Sequence, residues 1–277
     1  MADARSPIDI FGSGEGARSR RAGGEARCGL RPRLCSDTLS ARVSLVLSNA
    51  ARNSTFYKVR NLVLQKDRLM SETEVLPPAA LPGAGKTVGV LALQGGVAEH
   101  ARMLESLGAH VVLVKSAEQL ANLDALILPG GESSTIDRLT RIFGLRQPLI
   151  EAISGGLPTL GTCAGLIMLS TVIDDPAPGQ QSLGVLDVSV GRNAFGSQVD
   201  SAQVHLPWLT PSGEEVVIDT AFIRAPIVTR AGESVQVVAH HEGKIVGVRA
   251  GNIIGISFHP EVTGDTTVHE ELLSLIR

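Results

Sequence analysis

From residue 87 onward, short apolar runs alternate with segments in which apolar residues recur at helical spacing. The runs predict strands, and the periodic segments predict amphipathic helices. Alternation of the two is typical of β–α–β units, in which helices cover a mostly parallel sheet. The predicted strands are 88–93, 110–114, 125–128 and 159–160, and the predicted helices are 97–107, 134–143, 145–154 and 166–170.

After about residue 183 the pattern becomes rich in strands separated by short turns. The predicted strands are 186–190, 216–218, 221–223, 235–239, 245–248 and 253–258, followed by one helix over 267–276. We expect these strands to extend the same sheet in antiparallel fashion. The predicted fold class is therefore α/β, with three layers: a mostly parallel sheet flanked by helices, and an antiparallel strand-rich extension.

The first 69 residues have a different composition. They hold 13 Lys and Arg against 6 Asp and Glu, a net charge of +7, while residues 70–277 carry −10. Their Arg, Gly, Ser and Ala bury too little to offset the entropy of ordering the chain. We expect residues 1–85 to be a disordered or non-native basic leader and linker, with Met70 a plausible true start. The functional domain is expected over 86–277.

Composition narrows the class of protein. Hydrophobic residues at 43% exclude a wholly disordered chain, and no apolar run is long enough for a membrane-spanning helix. Three widely spaced cysteines favour a reducing cytoplasm over a secreted disulfide framework. The spacing of Cys28 and Cys35 is not typical of zinc ligands. We expect no metal, no cofactor, no membrane partner and no nucleic-acid partner.

The segment Gly83-Ala-Gly-Lys-Thr87 resembles the end of a phosphate-binding loop. That motif requires glycine at position 80, where this chain has alanine, and a strand before the loop with a helix after it. Here a Pro-rich segment precedes and a predicted strand follows. We therefore expect no nucleotide site at this position.

The segment Gly161-Thr-Cys-Ala-Gly165 carries the strongest local signal for chemistry. Glycines on both sides of a reactive residue, between a strand and a helix, are typical of a nucleophile elbow, a sharp turn that projects the middle side chain. The helix N-terminus that follows favours the thiolate, the reactive form of cysteine. We predict that Cys163 is a nucleophile. The alternative is a buried structural cysteine in a tight turn.

A second signal is the pair His259 and Glu261, two residues apart. If the strand 253–258 continues through them, both side chains project on the same side, and Pro260 biases His259 towards an extended backbone. Glu261 could then hold one imidazole nitrogen while the other faces Cys163, as in a catalytic triad. The alternative is a solvated pair at a strand end.

A third signal is the segment Leu128-Pro-Gly-Gly-Glu-Ser133, a turn at the carboxyl end of a predicted strand. Ligands bind at such positions in open α/β sheets, and paired glycines let backbone N–H groups approach a substrate. We predict that the N–H groups of Gly131 and Ala164 form an oxyanion hole. The alternative is a plain tight turn.

Together these motifs resemble the class I glutamine amidotransferases, whose Cys-His-Glu triad combines such an elbow with a late His-Pro-Glu. Within that family, the chain is most similar to the glutaminase subunits that serve pyridoxal 5′-phosphate synthesis, over residues 86–277. The finer resemblance rests on the segments Leu91-Ala-Leu-Gln-Gly95, Glu99-His100, Pro129-Gly-Gly-Glu-Ser-Ser134, Arg192-Asn-Ala-Phe-Gly-Ser-Gln198 and Phe222-Ile-Arg-Ala-Pro226.

The resemblance implies a role for each matching residue. Cys163 would attack the carboxamide of L-glutamine, His259 would act as base and then acid, and Glu261 would orient His259. The implied glutamine-binding residues are Gly131, Glu132, Ser133, Arg192, Ile223 and Arg224. A guanidinium suits a substrate carboxylate, although from the residues alone either arginine could be a surface charge.

The resemblance also implies a partner. Ammonia would pass to a separate synthase subunit that builds pyridoxal 5′-phosphate, within a large hetero-oligomer. One rival function is a glutaminase of another pathway, such as histidine or cobalamin-type synthesis, which should lack Arg192 and the 222–226 motif. The others are a non-catalytic α/β scaffold subunit and a nucleic-acid binder acting through the basic leader.

Overall fold

The computed structural model describes residues 81–192 and 202–277, so the predictions for residues 1–80 of the leader and linker and for residues 193–198 lie outside the described residues. The strands are β1 Thr87–Leu91, β2 His110–Val114, β3 Ala125–Leu128, β4 Thr159–Thr162, β5 Ser170–Ile173, β6 Leu186–Gly191, β7 Ala202–Leu209, β8 Glu215–Phe222, β9 Ile227–Ala231, β10 Gln236–His241, β11 Lys244–Ala250 and β12 Ile253–Ile256. The helices are α1 Val97–Ser106, α2 Ser133–Ile142, α3 Arg146–Ser154, α4 Ala164–Leu169, α5 Pro260–Thr263 and α6 Thr267–Ser274, with a 3₁₀ turn at Ala117–Leu120.

Within the described residues, ten strands form one sheet in the order β2-β1-β3-β4-β12-β11-β9-β6-β5, and β10 pairs with β11. The first five are parallel to their neighbours. Beyond β12, the β11, β9 and β6 pairings are antiparallel, and β5 runs parallel to β6. The predicted fold class, a mostly parallel sheet with an antiparallel extension, is confirmed.

Strand β3 shows how helices cover the sheet on both faces. Ala125 and Ile127 pack into a core that includes residues of α1 and α6. Leu126 and Leu128 pack into a second core with residues of α2, α3 and α4. Because successive side chains of a strand point to opposite faces, a strand between two helical layers is apolar at every position. The continuous apolar runs in the sequence have this origin.

The sequence prediction was wrong in several strands of the second half. The segments predicted as 216–218 and 221–223 form a single strand, β8, which pairs with β7 in a separate two-stranded sheet rather than extending the main one. Strands β5, β7 and β9 were not predicted. Strand β7 contains Pro207, a residue that argues against a strand in a sequence pattern and is tolerated in a sheet edge.

Register brings three chain segments to one edge of the sheet. Leu128 at the end of β3 pairs with Gly161 of β4, and Ile256 at the end of β12 pairs with Thr162. The turn after β3, the elbow after β4 and the segment after β12 therefore start side by side. This is the carboxyl edge, where open α/β sheets bind ligands.

Lys86, in the segment that resembles a phosphate-binding loop, has a structural role. Its Nζ donates a hydrogen bond to the Leu273 carbonyl at 2.9 Å. The adjoining Gly83 lies so close to Ala109 that a Cβ at Gly83 would approach the Ala109 nitrogen to 2.6 Å. The segment is therefore a packed connection that precedes β1. In the described part of the chain, no helix is both long and apolar enough to cross a membrane.

Candidate active site

The turn that carries Cys163 is sharp and strained. Cys163 has φ 49° and ψ −101°, and α4 begins at the next residue, two residues earlier than the predicted helix. A positive φ is costly for a residue with a Cβ and is found mainly where function requires it. A Cβ at Gly161 would approach the Gly165 carbonyl carbon to 2.7 Å, and one at Gly165 would approach the Leu128 oxygen to 2.0 Å. The elbow therefore requires both glycines.

His259 and Glu261 meet through a different backbone from the one the sequence predicted. Strand β12 ends at Ile256, and His259 is the N-cap of the short helix α5, with Pro260 at its first position. The expectation of a continuing strand was wrong, because proline suits the first turn of a helix, where no N–H is needed. The side chains still meet: His259 Nδ1 lies 2.7 Å from Glu261 Oε1. Both residues are only 9% exposed.

The electrostatics of His259 suit an ion pair with a thiolate. Burial by itself lowers the pKa of this imidazole, but its hydrogen bonds to Cys163 and Glu261, together with their charges, outweigh burial and raise the pKa to about 10. With Nδ1 donating to Glu261, Nε2 is the nitrogen left for the thiol side. Cys163 itself is buried, and its Sγ lies 4.0 Å from the Ile223 carbonyl oxygen. This arrangement can hold a thiolate next to an imidazolium.

A cavity of about 770 Å³ opens onto the thiol, within the size range of small-molecule sites. All nine residues predicted for catalysis or glutamine binding line it. Ala164 does not line the cavity; it follows Cys163 as the first residue of α4 and is 1% exposed. Arg224 has φ 46°, a second strained backbone at the cavity wall. The structure thus brings these residues together; their roles remain predictions.

Gln180 is a candidate positioning residue that the sequence did not reveal. Its Nε2 donates to Ser133 Oγ at 2.9 Å, and its Oε1 accepts from Arg192 Nη1 at 2.8 Å. The Arg192 guanidinium also lies 3.5 Å from Glu132 Oε1. Gln180 therefore ties together two walls of the cavity that are far apart in the sequence. A glutamine in an irregular loop gives no local pattern by which to identify it.

His100 and His269 are two further residues whose environment the sequence did not reveal. Both imidazoles are fully buried, and His100 Nδ1 lies 2.9 Å from His269 Nε2. The pKa of His100 lies well below its ordinary value because of burial and the charges of His269 and His259. Burial likewise lowers the pKa of His269 to about 4, against the opposing charge of Asp265. Both rings are neutral at neutral pH.

Replacing Gly130 with alanine should disable His259 without unfolding the protein. A Cβ at Gly130 would lie 2.4 Å from His259 Cε1, so the ring must move. A displacement of about 1 Å in a catalytic group costs on the order of 100-fold in rate, and we expect that loss in the rate of glutamate release. Gly191→Ala is the control, because its nearest neighbour would be 3.5 Å away. Equal activity in the two variants would contradict the prediction.

The stability of the folded protein should fall as the pH falls from 6.5 to about 4, because the unfolded chain protonates His269 in this range and the folded protein does not. Each such group costs about 1.4 kcal/mol per pH unit. His269→Asn should therefore lose about 2 to 3 kcal/mol less between pH 7 and pH 4.5 than the unaltered protein. Urea unfolding followed by the fluorescence of Trp208, the single tryptophan, measures this difference. Identical losses in both proteins would refute it.

Comparison with known proteins agrees with this architecture. Residues 90–275 match the model of the SNO glutamine amidotransferase family. A pyridoxal 5′-phosphate synthase subunit PdxT of Kineococcus radiotolerans is 51% identical over 198 residues, which cover 69% of this chain and 95% of that protein. The PdxT subunit of Acidothermus cellulolyticus is 45% identical over 201 residues, 71% of this chain and 96% of that protein.

Solved structures are similar to this chain in fold, and one of them is also similar in sequence. A crystal structure described as a glutamine amidotransferase superposes with a TM-score of 0.63 at 43% identity, covering 68% of this chain and 98% of that one. The PurLQS structure from Thermotoga maritima, at a TM-score of 0.52 and 20% identity, shares the fold alone. With a family model matching most of the chain and relatives near half identity over almost their full length, this chain belongs to the SNO glutamine amidotransferase family.

Proposed function

We propose that this chain is the glutaminase subunit of a pyridoxal 5′-phosphate synthase, hydrolysing L-glutamine to glutamate and ammonia through a cysteine thioester. The proposal rests on the arrangement of Cys163, His259 and Glu261 at the wall of one cavity, with the cysteine on a strained turn. The PdxT relatives at 45–51% identity support the choice of pathway.

In the first half-reaction, the Cys163 thiolate attacks the side-chain carboxamide carbon of glutamine. The carbonyl oxygen gains the negative charge, and we assign the N–H groups of Gly131 and Ala164 as its donors. The Gly130 carbonyl accepts from Gly96 N at 3.0 Å. Because a trans peptide directs its C=O and N–H to opposite sides, the Gly131 N–H points away from Gly96 and is left for the substrate.

Collapse of that tetrahedral intermediate breaks the C–N bond. The His259 imidazolium gives its proton to the leaving nitrogen, which departs as ammonia, and a γ-glutamyl thioester remains on Cys163. In the second half-reaction, neutral His259 takes a proton from water, whose oxygen attacks the thioester carbonyl. Glutamate leaves, and the thiolate and imidazolium are restored. Glu261 holds the imidazole in the required tautomer throughout.

Charged groups of the cavity suit the two ends of an amino acid. The guanidinium groups of Arg192 and Arg224 are matched partners for the α-carboxylate of glutamine. The Glu132 carboxylate is an acceptor for the α-ammonium group. Its position is set by a hydrogen bond that Ser134 Oγ donates to it at 3.1 Å. Gly131, Ser133 and Ile223 complete the predicted glutamine site. A substrate lacking either charged end should therefore bind more weakly.

The wider setting follows from the same proposal. Ammonia would pass to a synthase subunit in a large hetero-oligomer; the PdxT relatives are themselves named as subunits of a synthase. We place the complex in the cytoplasm on the evidence of the sparse, odd-numbered cysteines. The activity would reside in residues 86–277, with residues 1–85 as a leader that takes no part in it.

The decisive experiment mixes the purified chain with a candidate synthase subunit and its pentose and triose phosphate substrates. Glutamine should support pyridoxal phosphate formation, with release of one glutamate for each ammonia consumed. A chain truncated to start at Met70 should behave identically. If ammonium salts support the synthesis while glutamine does not, and no glutamate is released, the proposed function is wrong.

A further inference from the structure

His100 lies beneath the candidate triad, outside the cavity, and contacts two of its parts. It is on α1, and its partner His269 is on α6, 169 residues away in the sequence. His100 Nε2 lies 3.1 Å from the hydroxyl of Thr162, the residue directly before Cys163, and 3.5 Å from Glu261 Oε1. One ring therefore contacts both the strand end that carries the thiol and the carboxylate that orients His259.

The contacts of the two rings determine where their protons are. Among the described residues, His269 Nδ1 is buried without a hydrogen-bond partner. If His100 Nδ1 carried the proton, His269 would have to bear its own on Nδ1, an N–H buried without an acceptor. His100 Nε2 would then turn a lone pair towards the Glu261 carboxylate. The opposite arrangement avoids both costs: His269 Nε2–H donates to His100 Nδ1, and His100 Nε2–H faces Thr162 and Glu261.

Glu261 needs such a donor because its environment supplies few. Its Oε1 accepts from His259, and its Oε2 is buried with no partner among the residues that the structure describes. A buried carboxylate is stable only when donors or charges compensate for the loss of water. A neutral donor supports the carboxylate without competing for its charge, so that the charge remains directed at His259.

We propose that His100, held in one tautomer by His269, is a positioning residue that fixes Glu261 relative to the thiol-bearing end of β4. The inference rests on the proposed glutaminase function and deepens it. His100 touches neither glutamine nor the reacting atoms in this scheme. It acts on the rate of the chemical steps through Glu261 and His259, and it should leave glutamine affinity unaffected.

Two amide variants separate this role from mere packing. Glutamine can place its amide N–H where His100 Nε2 lies, towards Glu261, whereas the shorter asparagine reaches only the Nδ1 position, towards His269. His100→Gln keeps the proposed donor, and His100→Asn removes it, while both remain polar and uncharged. His110→Asn, at an exposed position at the start of β2, is the matched surface control.

The experiment measures glutamate release by the full chain assembled with the synthase subunit. Folded active sites are counted by exhaustive labelling of Cys163 with a glutamine-analogue electrophile, so that a partly unfolded preparation does not distort the rates. Per labelled site, His100→Asn should lower kcat roughly tenfold or more with KM changed less than about twofold. His100→Gln should recover at least about a third of the lost activity.

The contrary outcomes are distinct. A His100→Asn variant as active per labelled site as the unaltered protein overturns the inference, and so does a His100→Gln variant that falls equally far. A rise in KM with kcat unchanged would place His100 in substrate binding instead and would also overturn it. If the unaltered chain releases no glutamate with its synthase, the proposed function itself fails, and the inference fails with it.

Discussion

Replacing Cys163 with alanine should reduce glutamine hydrolysis by about four orders of magnitude or more, because the described residues that line the site include no second thiol that could form the thioester. The substitution removes one atom from a buried side chain and keeps a Cβ at the same strained φ of 49°. The fold and the assembly with the synthase should therefore persist. Glutamate release under saturating glutamine measures the loss.

Two controls belong to this experiment. Pyridoxal phosphate formation from ammonium salts should survive in the Cys163→Ala complex, because ammonia supplied from solution bypasses the glutaminase. The double variant Cys28→Ala/Cys35→Ala should retain full glutaminase activity, because the proposed chemistry lies after residue 86. An alanine variant with more than about 1% of the original rate would mean that Cys163 is not the nucleophile.

The parts of the fold that could be predicted from sequence are those with a strong local pattern. Strands β1, β3 and β12 lie in the middle of a sheet covered on both faces, so each is an apolar run, and their existence was predicted correctly. The elbow was predicted for an equally local reason: Gly161 and Gly165 permit a backbone approach that no other residue allows. Such patterns are strong because one physical cause fixes several neighbouring residues.

The missed elements have mixed or weak patterns. Strand β9 lies in the antiparallel extension and contains Thr229 and Arg230, and β5 is at the sheet edge with exposed Val172. Their pairing is decided by distant partners, so their own residues say little. The contact between His259 and Glu261 was predicted correctly, but from a continuing strand that does not exist. The reason is that Pro260 is compatible both with an extended residue before it and with the start of a helix.

The candidate site likewise contains some residues that could be predicted from the sequence and others that could not. The residues named from motifs all come to the same cavity, apart from Ala164. For the turn after β3, the elbow after β4 and the segment after β12 the cause is their shared carboxyl edge. Arg192, Ile223 and Arg224 reach the cavity from the antiparallel part of the fold instead. The supporting residues His100, His269 and Gln180 could not be found this way. The partners of His100 lie 62 and 169 residues away, and Gln180, itself in an irregular loop, bonds to Ser133 47 residues away. Only the packing of α1 and α6 against the sheet turns two ordinary histidines into a buried pair.

Removing Arg249 alone should cost about 3 to 5 kcal/mol of stability, because it leaves the Glu271 carboxylate charged and buried without its ion partner. Arg249 Nε lies 2.6 Å from Glu271 Oε1, and their side chains are 9% and 4% exposed. Trp208 Nε1 donates to the other oxygen at 2.9 Å. Urea unfolding of Arg249→Met, followed through Trp208 fluorescence, measures the cost.

The double variant Arg249→Met/Glu271→Gln tests the cause, because the amide still accepts from Trp208 but carries no charge. It should recover most of the loss, since replacing a buried ion pair with neutral groups is often close to neutral. Equal destabilisation of both variants would assign the cost to the lost contact of the Arg249 guanidinium with the Trp208 ring, whose centroid lies 5.9 Å from Arg249 Cζ. The pair joins β11, which leads through β12 to His259, to helix α6, which carries His269. An effect of Arg249→Met on glutaminase activity would mean that the buried charge pair that stabilises the fold also holds His269, and through it the support of the triad, in place.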